Sequence, residues 1–228
     1  IDEEFQEVLA AWKETGLRGR VFLVGDQGEG KKCWLDRTCA ALEADGLPVG
    51  RITLTRRLKT EADACIWLSK AVGLPTPLAD PGALEEALSA LPKQVWVLER
   101  FERSYLRVVG GFNALQTLLS ILQRSSSQHF WIIGLHRPSW RYLARLKALF
   151  SAQVFPRVLE LEPMGEVALR ALIQSRVQAA GWQVHFQLPG SEGAQGGEDD
   201  ARAEERAERR FFRLLSESSD GNPAVALA

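Results

Sequence analysis

The 228-residue chain is predicted to fold as an α/β protein, a parallel sheet covered by helices on both faces and followed by a small helical segment. Three observations lead there. Short, nearly continuous apolar runs at 21–24, 94–99 and 129–135 read as strands buried on both faces of a parallel sheet. Stretches with apolar residues at helical spacing separate them, so successive strands join through right-handed helical crossovers. After Glu162-Pro163 the strand signal weakens and only helical patterns remain. The expected organisation is a core over 1–163 and a helical lid over 164–228.

Taken in order, residues 2–14 carry Phe5, Val8, Leu9 and Trp12 at helical spacing, and Gly16 and Gly19 end that helix. The first strand (21–24) runs into a glycine-rich turn, and an amphipathic helix follows over 33–44, closed by Asp45-Gly46. A second strand is expected at 49–54 and a helix at 63–72 with Cys65, Ile66, Leu68 and Val72. The Pro/Gly-rich 73–82 reads as a loop, and 83–91 as a helix stopped by Pro92. The third strand, 94–99, is apolar and ends in an acid. Phe112, Leu115, Leu118, Leu119 and Leu122 mark the next helix, 129–135 is a fourth strand, and 140–150 a helix. The fifth strand, 154–161, has Pro156 near its start, which argues for an edge position.

In the C-terminal segment, 166–180 is helical with Leu169, Leu172, Ile173 and Val177 on one face. Residues 189–200 are glycine-rich and acidic, too polar to pack, and read as a mobile loop. A charged helix over 201–218 ends near Phe211, Phe212, Leu214 and Leu215. Gly221-Asn222-Pro223 breaks it, and another helix begins at Ala224. The chain starts at Ile1 and ends inside that helical pattern, as a fragment truncated at its C-terminus would.

Composition narrows the function. The net charge of −1 gives no strong field toward nucleic acid or an anionic membrane. No apolar run reaches the ~18–20 residues of a membrane span, and no signal peptide opens the chain, so it reads as cytoplasmic or the cytoplasmic part of a larger protein. Cys33, Cys39 and Cys65 are odd in number and lack metal-ligand spacing, which fits reduced thiols. His129, His136 and His185 share no ligand spacing either, so no structural metal is expected.

The turn Gly25-Asp26-Gln27-Gly28-Glu29-Gly30-Lys31-Lys32 carries the chemistry. A strand, a glycine-rich loop ending in Gly-Lys and a helix form the context of a phosphate-binding P-loop. Its glycines let backbone N–H groups point inward, the helix N-terminus adds partial positive charge, and Lys31 can reach outer phosphates. Gly25, Gly30 and Lys31 fit GxxxxGK. Lys32 stands where a Ser or Thr would ligate magnesium. Lys32 has two readings: a fixed positive charge near the metal position, permitting metal-free nucleotide binding, or a solvated lysine in the first helical turn. Cys33 sits at the helix N-terminus, where thiol pKa values fall, although a buried inert thiol is the commoner case.

The order of these parts resembles the AAA+/STAND branch of P-loop ATPases, in the layout of its origin-recognition-type members. That resemblance implies a sheet order of 5-1-4-3-2 and a nucleotide, ATP or ADP, held between core and lid by Gly25, Gly28, Glu29, Gly30, Lys31, Lys32, Cys33 and His136. It makes Glu99 the Walker B-like acid. The family's motifs are incomplete here. Walker B should end in Asp-Glu, and only Glu99 is present between Leu98 and Arg100; Glu102 is a substitute further on. His136 or Arg137 occupies the sensor 1 place, His136 being equally readable as a surface residue before Pro138. Gly221-Asn222-Pro223 fits the sensor 2 turn, with Ala224 where an arginine would stand. Arg145 and Arg157 are the candidates for an arginine finger.

Losing the hydroxyl, one Walker B acid and the sensor 2 arginine removes metal and cationic stabilisation together. Backbone phosphate cradling remains. The reading is therefore a degenerate nucleotide-binding module, regulatory or assembly-directing within a larger protein, with weak or absent hydrolysis and doubtful magnesium use. The alternative is an active ATPase with non-standard catalytic residues. Partners would be other domains of the parent protein or other proteins, in an oligomer or not, rather than nucleic acid. Trp34, Trp67, Trp96 and Trp131 are expected in the core, and core packing also comes first for Trp140 and Trp182. The Arg/Glu-rich 202–210 run reads as a solvated face laced with i,i+4 pairs.

Overall fold

Both faces of a parallel sheet must be covered, and the chain supplies helices for each. A computed structural model describes residues 1–17, 19–146, 157–187 and 198–228. They fall into two compact units: Ile1–Asp26 with Lys31–Leu161, and Gln27–Gly30 with Glu162–Ala228.

The first unit runs α1 (Asp2–Thr15), β1 (Arg20–Gly25), α2 (Lys31–Ala44), β2 (Val49–Thr53), α3 (Glu61–Ala71), α4 (Pro81–Ala90), β3 (Gln94–Glu99), α5 (Asn113–Arg124), β4 (His129–His136), α6 (Arg137–Arg145) and β5 (Arg157–Glu160). A short 3-10 turn, Phe101–Ser104, follows β3. The five strands pair in the order β2-β3-β4-β1-β5, all parallel. Read from the other edge this is 5-1-4-3-2, the order the family resemblance implies.

Alternation along the strands builds two cores. Val21, Leu23, Val95, Val97, Phe130, Ile132 and Leu159 point to the face covered by α1 and α2, where Phe5, Leu9, Trp12, Trp34 and Leu35 meet them. Phe22, Val24, Leu98, Trp131 and Ile133 point to the other face, under Leu68, Leu84, Leu118 and Leu143 of α3 to α6. Each such side chain contributes about 1.5–3 kcal/mol by leaving water. Edge-to-face contacts, Phe5 on Trp34 at 5.2 Å and Trp12 on Phe130 at 5.4 Å, fix how the first core interdigitates. On β2, Gly50 pairs with Trp96, and a Cβ there would lie 2.1 Å from the indole. The edge strand thus gives up a side chain so that the tryptophan can lie flat.

Local signals explain the element ends. Gly16 terminates α1 in the left-handed region at φ 69. Thr60 and Asp63 form a capping box for α3. Asp80 caps α4, its carboxylate accepting from Ala83 N–H at 2.8 Å. Pro81 opens that helix, so Pro81 and Gly82 belong to α4 and not to the preceding loop. Proline at a first helical position lacks only an N–H that has no partner anyway. The same logic draws Arg137 and Pro138 into α6, which starts earlier than the spacing of apolar residues suggests.

The second unit contains α7 (Glu166–Ala179), α8 (Glu198–Ser219) and α9 (Pro223–Ala226). Leu169, Ala207 and Phe212 are buried in it, and Phe186, Phe211 and Phe212 cluster with ring centroids 5.2–5.7 Å apart. Glu198, Asp199 and Asp200, expected in a loop, lie in α8. The remainder of that loop, the end of the 140–150 helix and the start of the fifth strand with Pro156 lie outside the described residues.

Two expectations about single side chains fail. Trp140 is buried, but Trp182 is 72% exposed: it follows the left-handed Gly181 (φ 69) at the end of α7, beyond that helix's packed face. Cys33 is exposed because the buried stripe of α2 is Trp34, Leu35, Cys39 and Leu42. Cys39 and Cys65 are buried, which pushes both thiols up, Cys65 to about 11.

Candidate functional site

All five strands are parallel, so their C-terminal ends share one rim of the sheet, the edge at which open α/β sheets bind ligands. The rim gathers Gly25 and Asp26 after β1, Thr53 of β2, Glu99 of β3, His136 of β4 and Glu160 of β5.

The loop after β1 turns on two glycines. Gly28 and Gly30 sit at φ 91 and φ 88, a region L-residues rarely adopt. A Cβ on Gly30 would meet nothing within 4 Å, so the space over that glycine is open to a ligand. Lys31 begins α2 and folds its ammonium back over the loop, donating to Gly25 O at 2.5 Å and Asp26 O at 2.7 Å. Glu29 is half-buried, whereas Lys32 and Cys33 are exposed on the first turn of α2.

Gln27–Gly30 groups with the second unit, where the Gly221-Asn222-Pro223 turn meets it. Asn222 Nδ2 donates to Gln27 O at 2.8 Å, and Asn222 Oδ1 accepts from Ala224 N–H at 3.0 Å and Val225 N–H at 3.4 Å to cap α9. A Cβ on Gly28 would come within 2.4 Å of Asn222 Oδ1 and 2.7 Å of Ala224 Cβ. Asn222 is a contact the sequence pattern identified only as a turn residue.

At the end of β3 the acid is already engaged. Glu99 Oε1 lies 3.0 Å from Arg51 Nη2, and the same guanidinium bonds Asp36 of α2. The Asp36 bond, with Glu99 adding to it against the effect of burial, holds Arg51 above its ordinary range. A metal would need free carboxylate oxygens and a hydroxyl here. The chain instead offers an ion-paired Glu99 and an exposed Lys32, and among the described residues no group of three His, Cys, Asp or Glu side chains is close enough to hold an ion.

One strand over, His136 Nε2 approaches Glu102 Oε1 at 3.3 Å, joining the end of β4 to the turn after β3. The next residue, Arg137, is only 14% exposed and ties three points of the rim together. Its guanidinium meets Asp26 Oδ2 at 3.3 Å and Glu160 Oε2 at 3.1 Å, and donates to Leu161 O at 2.5 Å. Arg157 pairs with Glu4 at 3.1 Å, and Arg145 is exposed at the end of α6. Sequence reading missed Arg51. The available signal was an arginine in a strand whose neighbours are apolar, with acids at 36 and 99 that the topology brings to it.

No model of a known protein family matches the chain, and no curated protein matches it in sequence. Its fold does match solved structures. The Orc1 protein of Aeropyrum pernix in complex with DNA aligns over 78% of this chain and 48% of its own length, at 23% identity and a TM-score of 0.51. The Orc2 protein of the same organism in its ADP form gives 13% identity and a TM-score of 0.54 over 78% of this chain and 51% of that one. Cdc6p from Pyrobaculum aerophilum gives 17% and 0.54 over 96% of this chain and 61% of that one. The chain thus spans about half to three-fifths of the length of these structures. At such identities the likeness establishes the fold alone, a five-stranded parallel α/β sandwich shared with these structures.

Proposed function

We propose that this chain is a degenerate AAA+/STAND-type nucleotide-binding module, serving as a regulatory or assembly domain of a larger protein with weak or absent ATP hydrolysis. The carrying observation is a contrast on one rim. Gly28, Gly30 and Lys31 keep a geometry suited to phosphate, whereas Glu99 is bound by Arg51. Backbone N–H groups and a lysine suffice to grip a polyphosphate tail. Cutting it requires a free carboxylate to orient water, and a cation to take up developing charge.

ATP or ADP is the expected ligand, and the ADP form of the Orc2 neighbour supports that choice. When bound, the nucleotide would supply the conformational signal. This chain's part is to seat the phosphates on the loop and to keep the Walker B-like acid neutralised. Its partners would be other domains or proteins in the cytoplasm. The Orc1 neighbour was solved with DNA, but a net charge of −1 gives this chain little general attraction for phosphate backbones.

The test pairs a nucleotide titration with a phosphate-release assay on the chain and on Lys31→Ala. Saturable binding that falls about tenfold in the variant, with flat release traces for both, supports the module. Absence of nucleotide binding in the unaltered chain refutes it.

A second reading, an active ATPase with unorthodox residues, has its own observation in the Glu102–His136 pair at 3.3 Å. A carboxylate beside an imidazole at the tip of β4 supports that reading, with Glu102 as its general base. Lysine-dependent turnover abolished by Glu102→Gln would establish that reading instead.

A further inference from the structure

The outer face of α8 carries a row of arginines that the rim chemistry does not use. Arg206, Arg210 and Arg213 follow at spacings of four and three, which aligns them along one side of the helix. Together with Arg209, and with Glu166 and Arg170 of α7, they line a cleft of about 720 Å³ within the second unit. Five arginines and one acid, Glu166, are among the residues that line it.

A solvated helix face laced with salt bridges accounts for part of this. Arg209 pairs with Glu205, and Arg213 Nε lies 3.7 Å from Glu217. It does not account for the rest. Arg206 and Arg210 make no ion pair among the described residues, although Glu204, Glu205 and Glu208 lie on the same helix. Arg170 is held in place, stacked 5.0 Å over the Phe212 ring, with one Nη 3.4 Å from Glu166. Its Nε is buried and has no hydrogen-bond partner among the described residues. A buried donor without an acceptor is costly, so the two helices leave the hydrogen bonding of Arg170 incomplete.

We infer that this cleft is a binding site for a compact polyphosphate group, separate from the loop after β1. Guanidinium forks match phosphate oxygens two at a time. The volume falls in the range of roughly 300–1,000 Å³ typical of small-molecule sites. A chain of linked phosphates brings several negative charges and many acceptor oxygens into a small space, which a row of guanidinium forks matches better than a single carboxylate does. The source is either free inorganic polyphosphate or the phosphate tail of a nucleotide. Such a ligand would brace α7 against α8, giving the helical unit a charge-dependent stability of its own.

Calorimetric titration of inorganic tripolyphosphate, and separately ATP, into the full chain carrying Lys31→Ala tests the site with the loop disabled. The double variant Arg206→Ala/Arg210→Ala in that background should bind tripolyphosphate at least about tenfold more weakly. A control pair removing the same charge from exposed arginines that do not line the cleft, Arg57→Ala/Arg141→Ala, should stay within about twofold, as solvent-screened charges outside a site do. Equal affinities for tripolyphosphate and ATP would identify the bare phosphate chain as the ligand, and tighter ATP binding a nucleotide tail. The inference is overturned if the Lys31→Ala chain binds no tripolyphosphate, if Arg206→Ala/Arg210→Ala binds as well as its parent, or if the control pair loses as much. Loss of all binding with Lys31→Ala alone would overturn the cleft while supporting the nucleotide reading of the loop.

Discussion

The end of β1 and the end of β3 lie on the same rim, separated only by β4, and they have been built in opposite ways. After β1, the loop offers left-handed glycines, open space over Gly30 and a lysine whose ammonium is held by the loop's own carbonyls. After β3, the acid is neutralised by an arginine from the next strand, and that arginine is itself anchored by Asp36. Binding and cutting a polyphosphate are thus physically separable. The first depends on local backbone geometry, the second on charged side chains left free by their neighbours. Loss of catalysis can therefore leave the grip untouched.

The largest effect should come from breaking the loop. Gly28→Ala places a Cβ at φ 91 and within 2.4 Å of Asn222 Oδ1, so both backbone strain and steric overlap act. Destabilisation of about 3 kcal/mol is expected, read as a drop in the denaturant midpoint, with loss of nucleotide binding. Gly30→Ala meets no neighbour and should show only the smaller backbone penalty, about 1–2 kcal/mol. Equal losses in the two variants would show that the Asn222 contact adds nothing.

Next comes the clamp joining β1, β4 and β5. Arg137→Ala leaves Asp26 and Glu160 without this counter-charge and removes a donor from Leu161 O. With the carboxylates half-exposed, a cost of about 1–2 kcal/mol is expected. Nucleotide affinity should fall as well, because an Asp26 that has lost this counter-charge repels phosphate more strongly. Restoration of affinity by Asp26→Asn in the same chain would attribute the loss to charge, and failure to restore it would assign Arg137 a purely structural part.

The other side of the contrast predicts a small effect. Arg51→Ala frees Glu99, but the pair is about one-third exposed, so stability should change by less than about 1 kcal/mol. Phosphate release should stay flat, because the magnesium-ligating hydroxyl is still missing. A rise in turnover would mean that Arg51 alone silences the site.

The smallest effect belongs to the opposite rim. His129, at the start of β4, is fully buried with Nε2 2.9 Å from Leu88 O, and burial pushes its pKa below the ordinary value of about 6.5. The unfolded chain therefore binds the proton more readily. Stability is complete above about pH 6.5 and declines as the pH falls below it toward the folded value. Thermal melts from pH 7.5 to 5 should show this decline, and His129→Phe should flatten it. An unchanged slope would assign the acid sensitivity to other groups.

Much of the architecture was legible in the residue pattern. β3 has the expected bounds, β1 extends its expected run by one residue at each end, and strand order follows from the family resemblance. Apolar runs and glycine–lysine spacing are properties of neighbouring residues, so they survive reading in one dimension. Helix starts at Pro81 and Arg137 were less clear, since a capping aspartate and a first-turn proline look like loop residues until the cap forms. Trp182 shows the same limit, because its exposure depends on which way a single left-handed glycine turns the chain.

Short-range order sufficed for the strands, their covering helices and the glycine-rich loop, because hydrophobic period and turn chemistry act over a few residues, whereas the order of the strands came from the family resemblance. The state of the chemical groups required the folded chain. Arg51 and Glu99 are 48 residues apart, and Gln27 and Asn222 are 195 apart. Whether a carboxylate is free to act or already neutralised is decided by such long-range neighbours, which only the assembled sheet brings together.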